Sequence, residues 1–458
     1  MVAPLGALVV EGWPALIAAV LLQEGGVWLA GRLVEPCQRV FARRLFLAAF
    51  GLRVAIALPT HAIARLGDGS GALFQDDYTN DLVGEWLVRI ARGDGISIFP
   101  GHQHLLDGLY PYLLMAVYAI FGYSPLVPKL VNAGLAGLSA VLIFEIARRA
   151  FRWPAAVLAG LGAALLPTMV VWSVVTLKET LVLCLCLLGL WAVQWLSVTS
   201  RREPRFMHVV VLLVGVLALL LDLRSPAAGI LICLALATSF ARTRYRLRWW
   251  QVTAAVLSLV VIAGGGVWIV RARTTNRPIT TVVEDAVLII RHRRAQEAAS
   301  ATSRIRTESD VLSATGTELP ASEAASDAAP FSVVGDVLNP LGFALLAPAP
   351  WQARSGPEVG AAAEMPVWYV LLLASLLAWR ASPRQRFFVA SLAAYGIANW
   401  LVLAASEGNV GNLLRHRLTL NPVLLILGAA GLEWLWVRAG RPLSSKFPAA
   451  LTAARAES

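Results

Sequence analysis

Apolar runs of about twenty residues recur along almost the whole chain, and that one feature excludes most folds. Each run is long enough to cross a bilayer as a helix, where every backbone amide must find its partner inside the segment. The strands of a membrane barrel are shorter and alternate in polarity, so the expectation is an all-α polytopic membrane protein. Charge agrees: 15% of the 458 residues are charged, against roughly 25% in soluble domains. The formal net charge of +11, from 39 basic and 28 acidic residues, would suggest nucleic acid in a soluble protein. Here much of it lies in short loops, where it reports sidedness, and no nucleic-acid partner is expected.

Four cysteines, Cys37, Cys184, Cys186 and Cys233, form neither a disulfide framework nor a zinc spacing. The first run, Pro4 to Leu22, contains Glu11 and Pro14 and lacks a basic start. It reads as an extra span or an interfacial helix rather than a cleaved signal.

Arg39, Arg43 and Arg44 precede a span at about Leu45 to Leu66, which puts Gln75-Asp76-Asp77-Tyr78 on the outer face. After that acidic pair, Leu82, Val83, Trp86, Leu87 and Ile90 share one helical face, and Asp81, Glu85, Arg89 and Arg92 the other. The pattern suits a helix lying on the membrane surface. The apolar stretch from Leu109 to Gly122 is short for a span, so 67–125 reads as one outer loop with two interfacial helices.

Further spans are expected at Leu126–Ala147, Ala155–Trp172, Leu177–Leu196, Val209–Leu221, Ala227–Phe240, Gln251–Val270, Pro366–Trp379, Phe387–Ala404 and Leu418–Val437. That gives ten spans, or eleven with the N-terminal run. The organisation is then an N-terminal segment (1–44), a transmembrane module (45–270) and a long extracytoplasmic loop (271–364). C-terminal helices (365–440) and a cytoplasmic tail (441–458) complete it. Charges sit near span ends rather than mid-span.

Five polar clusters then fall on the outer face: Asp76-Asp77, Lys178-Glu179, Asp222 with Arg224, the arginines after 271, and Asn409 through Arg417. Each has a plain structural reading. Asp76-Asp77 could cap the helix that follows; Lys178-Glu179 and Asp222/Arg224 could be ion pairs; Arg415-His416-Arg417 could anchor to headgroups. Their convergence favours a site that combines a base with cations for an anionic group, because arginine makes forked, charge-assisted bonds to phosphate.

The order of these elements resembles the GT-C superfamily of membrane glycosyltransferases, particularly the family 39-like enzymes related to protein O-mannosyltransferases and lipid A aminoarabinose transferases. The elements are Asp76-Asp77-Tyr78, Tyr110-Pro111-Tyr112 ahead of Phe121-Gly122-Tyr123-Ser124, Phe144 to Phe151, Leu177-Lys178-Glu179, and Asn412 to Pro422. A His-Pro-Pro form of the second element is absent. Lys178-Glu179 stands where the oligosaccharyltransferase branch places a metal-binding acidic cluster.

The resemblance implies a GT-C-like bundle of about 10–11 transmembrane helices with extracytoplasmic juxtamembrane helices. It also implies an inverting glycosyltransferase of the bacterial inner membrane, its active site facing the periplasm. The donor would be a polyprenyl-phosphate-linked sugar, and the acceptor a hydroxyl on a glycan, lipid or protein. Asp76 or Asp77 would be the catalytic base. Lys178, Glu179, Arg224, Arg415, His416, Arg417, Tyr78 and Tyr110 would bind substrate and phosphate. No cofactor is implied, and a divalent metal is not expected. The alternatives are an O-antigen ligase or polymerase-like enzyme, a lipid-linked saccharide transporter or flippase, and an inactive scaffold of the same fold.

Overall fold

The computed structural model describes residues 11–67, 69–94, 106, 108–199, 203–243, 339–349, 351, 356–382, 385–407 and 410–440. Among these the only regular elements are helices. With the interrupted helix at 206–238 counted once, six described helices are long and apolar enough to cross a membrane, and a bent pair, Gly411–Thr419 with Asn421–Arg438, brings the number up to seven. The chain is an all-α, multi-pass membrane protein. The expected span at 251–270, most of the long loop with its arginines, Asn409 and the tail at 441–458 lie outside the described residues.

The N-terminal run forms α1 (Trp13–Leu33), long enough to span. It turns at Pro36–Gln38 into α2 (Arg39–Gly67). On the 67–125 segment α3 (Gln75–Ala91) and α4 (Leu109–Phe121) pack against each other at Gly84. The central helix is α5 (Leu126–Ala150), packed by α1, α2, α6 (Trp153–Leu165) and α8 (Glu179–Val198). Small residues on α5 let its neighbours approach closely. At Gly137 an added Cβ would come within 2.9 Å of the Phe46 ring, so this helix crossing needs glycine.

The expected span Ala155–Trp172 is broken. Helix α6 stops at Leu165, Leu166 adopts ψ 120°, and a short α7 (Pro167–Val171) follows. Pro167 has no N–H to continue the ladder, and the residue before it is pushed out of helical geometry. The carbonyls freed at the break are taken by Arg53, a fully buried guanidinium inside α2. It donates to Ala163 O (3.1 Å), Ala164 O (3.1 Å) and Ser173 Oγ (2.7 Å). This is one charge away from a span end, contrary to the sequence expectation, and its partners are structural.

Helix α9 (Phe206–Thr243) is interrupted at Arg224, whose backbone is extended (φ −162°, ψ 79°) two residues before Pro226. The interruption is a reversal. Val216 and Leu231 both lie against Gly189 of α8, at 3.6 and 2.8 Å from an ideal Cβ there. On a continuous helix those two residues would stand about 22 Å apart. The two halves therefore run side by side, as the separate spans expected at 209–221 and 227–240 require. Asp222 at the tip accepts the Leu109 N–H of α4 through Oδ2 at 2.5 Å.

Near the C-terminus, α10 (Asn339–Leu346) precedes α11 (Gly356–Ser375). Helix α11 begins before the expected Pro366 boundary, with that proline inside it. A short α12 (Ala378–Ala381) leads to α13 (Arg386–Ser406). Then α14 (Val410–His416) bends by 62° across a turn at Arg417–Thr419 into α15 (Asn421–Arg438).

Candidate functional site

The first two turns of α3 present three faces, because neighbouring residues project about 100° apart around a helix. Asp77 and Asp81 face inward, Asp76 and Asn80 face the α7–α8 connection and α14, and Gln75, Tyr78 and Leu82 face a cavity. The two adjacent carboxylates of the acidic pair thus meet different partners.

Asp77 is fully buried and fully engaged. Its carboxylate accepts the Leu73 N–H at 3.0 Å and the Thr176 N–H at 2.6 Å, and lies 3.3 Å from Lys129 Nζ. Lys129, also buried, donates to Gly71 O at 2.5 Å. Asn132 donates to Val175 O (2.6 Å) and Leu177 O (3.0 Å), and Asn80 to Thr176 O (2.9 Å). These bonds stitch the loop before α3, the start of α5 and the approach to Lys178-Glu179 into one unit. An ion pair this deep is costly to form and costlier to break from one side.

Asp76 is the accessible carboxylate, its side chain 64% exposed. Arg415 Nη1 meets Asp76 Oδ2 at 2.7 Å, and Arg415 Nε lies 3.0 Å from Glu179 Oε1. Glu179 is buried at the start of α8, and neither of its oxygens accepts an aligned hydrogen bond. His416 Nδ1 is 2.6 Å from Glu407 Oε1, and its Nε2 is 3.7 Å from Glu179 Oε1. The result is a line of alternating groups, Asp76, Arg415, Glu179, His416 and Glu407. Burial works against the charge on Glu407, but the hydrogen bond and charge of His416 outweigh it and lower its pKa.

Two cations near this line have no hydrogen bond or ion pair among the described residues: half-buried Lys178 and Arg224 at the α9 reversal. Arg224 lies within electrostatic reach of Glu179 and Glu407. Tyr110 is buried close to Asp81, Glu179 and Asp77; burial first, then those carboxylates, pushes its phenol well above the usual range and keeps it protonated.

Three sequence expectations place differently. Arg417 turns away from Arg415 and His416, donating to Ala344 O (2.9 Å) and Phe343 O (3.1 Å) beneath the Trp368 ring. It closes the end of α10. Tyr78 lies on the cavity face rather than beside Arg415. Asp81, assigned to the water-facing side of α3, is buried and accepts the Tyr118 hydroxyl. Its pKa is pushed up to about 7, by burial and then by the charge of Asp77. Lys129 and Glu407 were not singled out by the sequence. The signal for Lys129 was present, since only three lysines occur and one of them falls in the first turn of a span.

No family model matches the chain, and no curated protein does. Among solved structures, the crystal structure of ArnT from Cupriavidus metallidurans bound to undecaprenyl phosphate is similar. It has a TM-score of 0.43 and 15% identity, covering 83% of this chain and 59% of that one. The chain thus spans about three-fifths of the length of ArnT. At that level the likeness gives this chain no residue role and no substrate.

Proposed function

We propose that this protein is a glycosyltransferase that moves a sugar from a polyprenyl-phosphate donor to a hydroxyl acceptor at the extracytoplasmic membrane face. The observation that carries the reading is the meeting of the exposed Asp76 carboxylate with Arg415, with Arg224 in electrostatic reach of Arg415 and Glu179, and Lys178 next to Glu179 in the chain. A transfer of this kind needs one accessible base and cations for a phosphate leaving group, and both elements sit together here.

In the proposed reaction the acceptor oxygen attacks the anomeric carbon while Asp76 takes its proton. The new glycosidic bond forms as the bond from the anomeric carbon to the phosphate oxygen breaks. The electron pair leaves with the lipid phosphate, and a single displacement inverts the anomeric configuration. Arg224 and Lys178 are the cations proposed to stabilise the charge that develops on the phosphate. Arg415 neutralises Asp76 in the unliganded protein. An arriving phosphate competes for that guanidinium and leaves Asp76 free to act as base. Asp77 is sealed from solvent, holds the Leu73 and Thr176 amides and Lys129, and is assigned a structural role. The reading places the protein in a bacterial inner membrane and expects no divalent metal.

The test is release of polyprenyl phosphate from a panel of polyprenyl-phosphate sugars by the purified protein in lipid nanodiscs, with and without chelator. Turnover of one donor, unaffected by chelator, is expected. No turnover of any donor in the presence of glycan, lipid and peptide acceptors would overturn the assignment.

A further inference from the structure

The face of α3 that carries neither Asp76 nor Asp77 walls a cavity of about 650 Å³. Gln75, Tyr78 and Leu82 line it at helical spacing, with Phe74 before them and Tyr123 from the end of the outer segment. Part of its remaining wall is an ion network. Glu11 Oε1 lies 2.6 Å from His61 Nε2 and also pairs with Arg65 Nη1. The Arg65 side chain stays 54% exposed.

The size falls in the usual range for small-molecule sites, about 300–1,000 Å³. The lining narrows the chemistry. More than half of the lining side chains carry a polar atom, and an acyl chain would give the Gln75 amide and the Tyr78 and Tyr123 hydroxyls nothing to bond to. A compact anion would have to displace the Glu11 carboxylate, which already takes the hydrogen bonds of His61 Nε2 and Arg65 Nη1. What remains is an uncharged molecule with flat apolar faces and a hydroxyl-bearing edge. Three aromatic rings line it: Tyr78, Phe74 packed against Trp172, and Tyr123 packed against Tyr118. The Gln75 amide, the phenol hydroxyls and the exposed Arg65 guanidinium offer directional hydrogen bonds. A pyranose ring has that division of surface. The cavity also adjoins the reacting group, since Asp76 follows Gln75 on the neighbouring face of the same turn.

We propose that this cavity is the acceptor site and that the acceptor is a saccharide, presented with one hydroxyl toward Asp76. The role as acceptor rests on the transferase reading; the chemistry of the ligand does not. A free oligosaccharide and the head of a glycolipid share that chemistry, and the experiment separates them.

The experiment is saturation-transfer NMR on the full chain in lipid nanodiscs prepared without alkyl-glycoside detergent. The probes are methyl hexosides and pentosides, short oligosaccharides, and octyl glycosides as glycolipid mimics. Wild type is compared with Tyr78→Ala and with Leu82→Trp, which fills the cavity without removing a polar group. Thermal unfolding checks that each variant is folded. Binding of one saccharide class, weakened about tenfold in both variants, is expected. Preference for the octyl series would mark the acceptor as a glycolipid. No binding by any probe, or binding that both folded variants keep, would overturn the proposal. Donor turnover on the same wild-type preparation is the separate check of the transferase. A preparation that binds saccharide yet turns over no donor would keep the site and lose the reaction.

Discussion

Arg415 Nη1 reaches Asp76 Oδ2 at 2.7 Å across 339 residues of sequence, while the next carboxylate, Asp77, faces the opposite side and pairs with Lys129 at 3.3 Å. One position along a helix separates a group that can meet substrate from a group that holds the fold. The difference follows from burial: Asp77 is sealed, and the Asp76 side chain is open to solvent.

The Asp81 carboxyl gives the stability a distinctive pH dependence. Its folded-state pKa of about 7 is raised above the ordinary carboxylate value of about 4. The folded state therefore binds the extra proton, and its stability falls as pH rises through that window. Asp81→Asn removes the titration and keeps an acceptor for Tyr118. The variant is expected to unfold at a higher temperature than wild type at pH 8, with the gap narrowing as pH falls below about 7 and closing only near the ordinary carboxylate value of about 4. A gap that widens toward low pH would contradict the assignment.

Arg53 tests how the broken span is held. Replacing it by leucine leaves the carbonyls of Ala163 and Ala164 without their donor inside the bundle. A loss of about 3 kcal/mol is expected, with Arg53→Lys recovering part of it through a single-point donor. Thermal unfolding in nanodiscs measures both, and a neutral Arg53→Leu would contradict the capping role.

The reversal at Arg224 predicts a distance. In a chain lacking Cys37, spin labels on Val214→Cys and Leu236→Cys, both exposed on the two halves of α9, should lie much closer together than a continuous helix allows. A continuous helix would hold those positions about 33 Å apart, and a measured separation near that value would contradict the reversal.

Arg417 is expected to act through α10. Arg417→Ala should free the Phe343 and Ala344 carbonyls and expose α10 to limited proteolysis, with a stability loss of about 2 kcal/mol. Unchanged proteolysis, together with lost donor affinity, would return this residue to the phosphate site.

The sequence made the membrane class and most spans legible, because apolar length decides them locally: α2, α5, α8 and α13 fall close to the expected ranges. The α9 reversal was legible too, since Asp222, Arg224 and Pro226 interrupt an apolar run. The break at Pro167 was read through, because apolar composition continues across it and only the missing N–H marks it. Arg53 escaped notice because the carbonyls it takes up at the break lie more than a hundred residues away. Asp76 and Asp77 could not be separated for the same reason: Arg415 and Lys129 are distant in sequence, and only packing assigns one to each. Arg415 and Arg417 look alike in the chain, yet the bend before α15 sends them to different neighbours.

The most direct measurement compares Asp76→Asn with Asp77→Asn, reading donor turnover and thermal unfolding on the same preparations. Asp76→Asn should keep its unfolding temperature within the shift that an exposed ion pair of about 1 kcal/mol or less allows, and lose turnover by about 100-fold or more. Asp77→Asn should lose about 3 kcal/mol of stability through the stranded Lys129, with the folded fraction keeping turnover. Full turnover by Asp76→Asn, or a stable and inactive Asp77→Asn, would contradict the account.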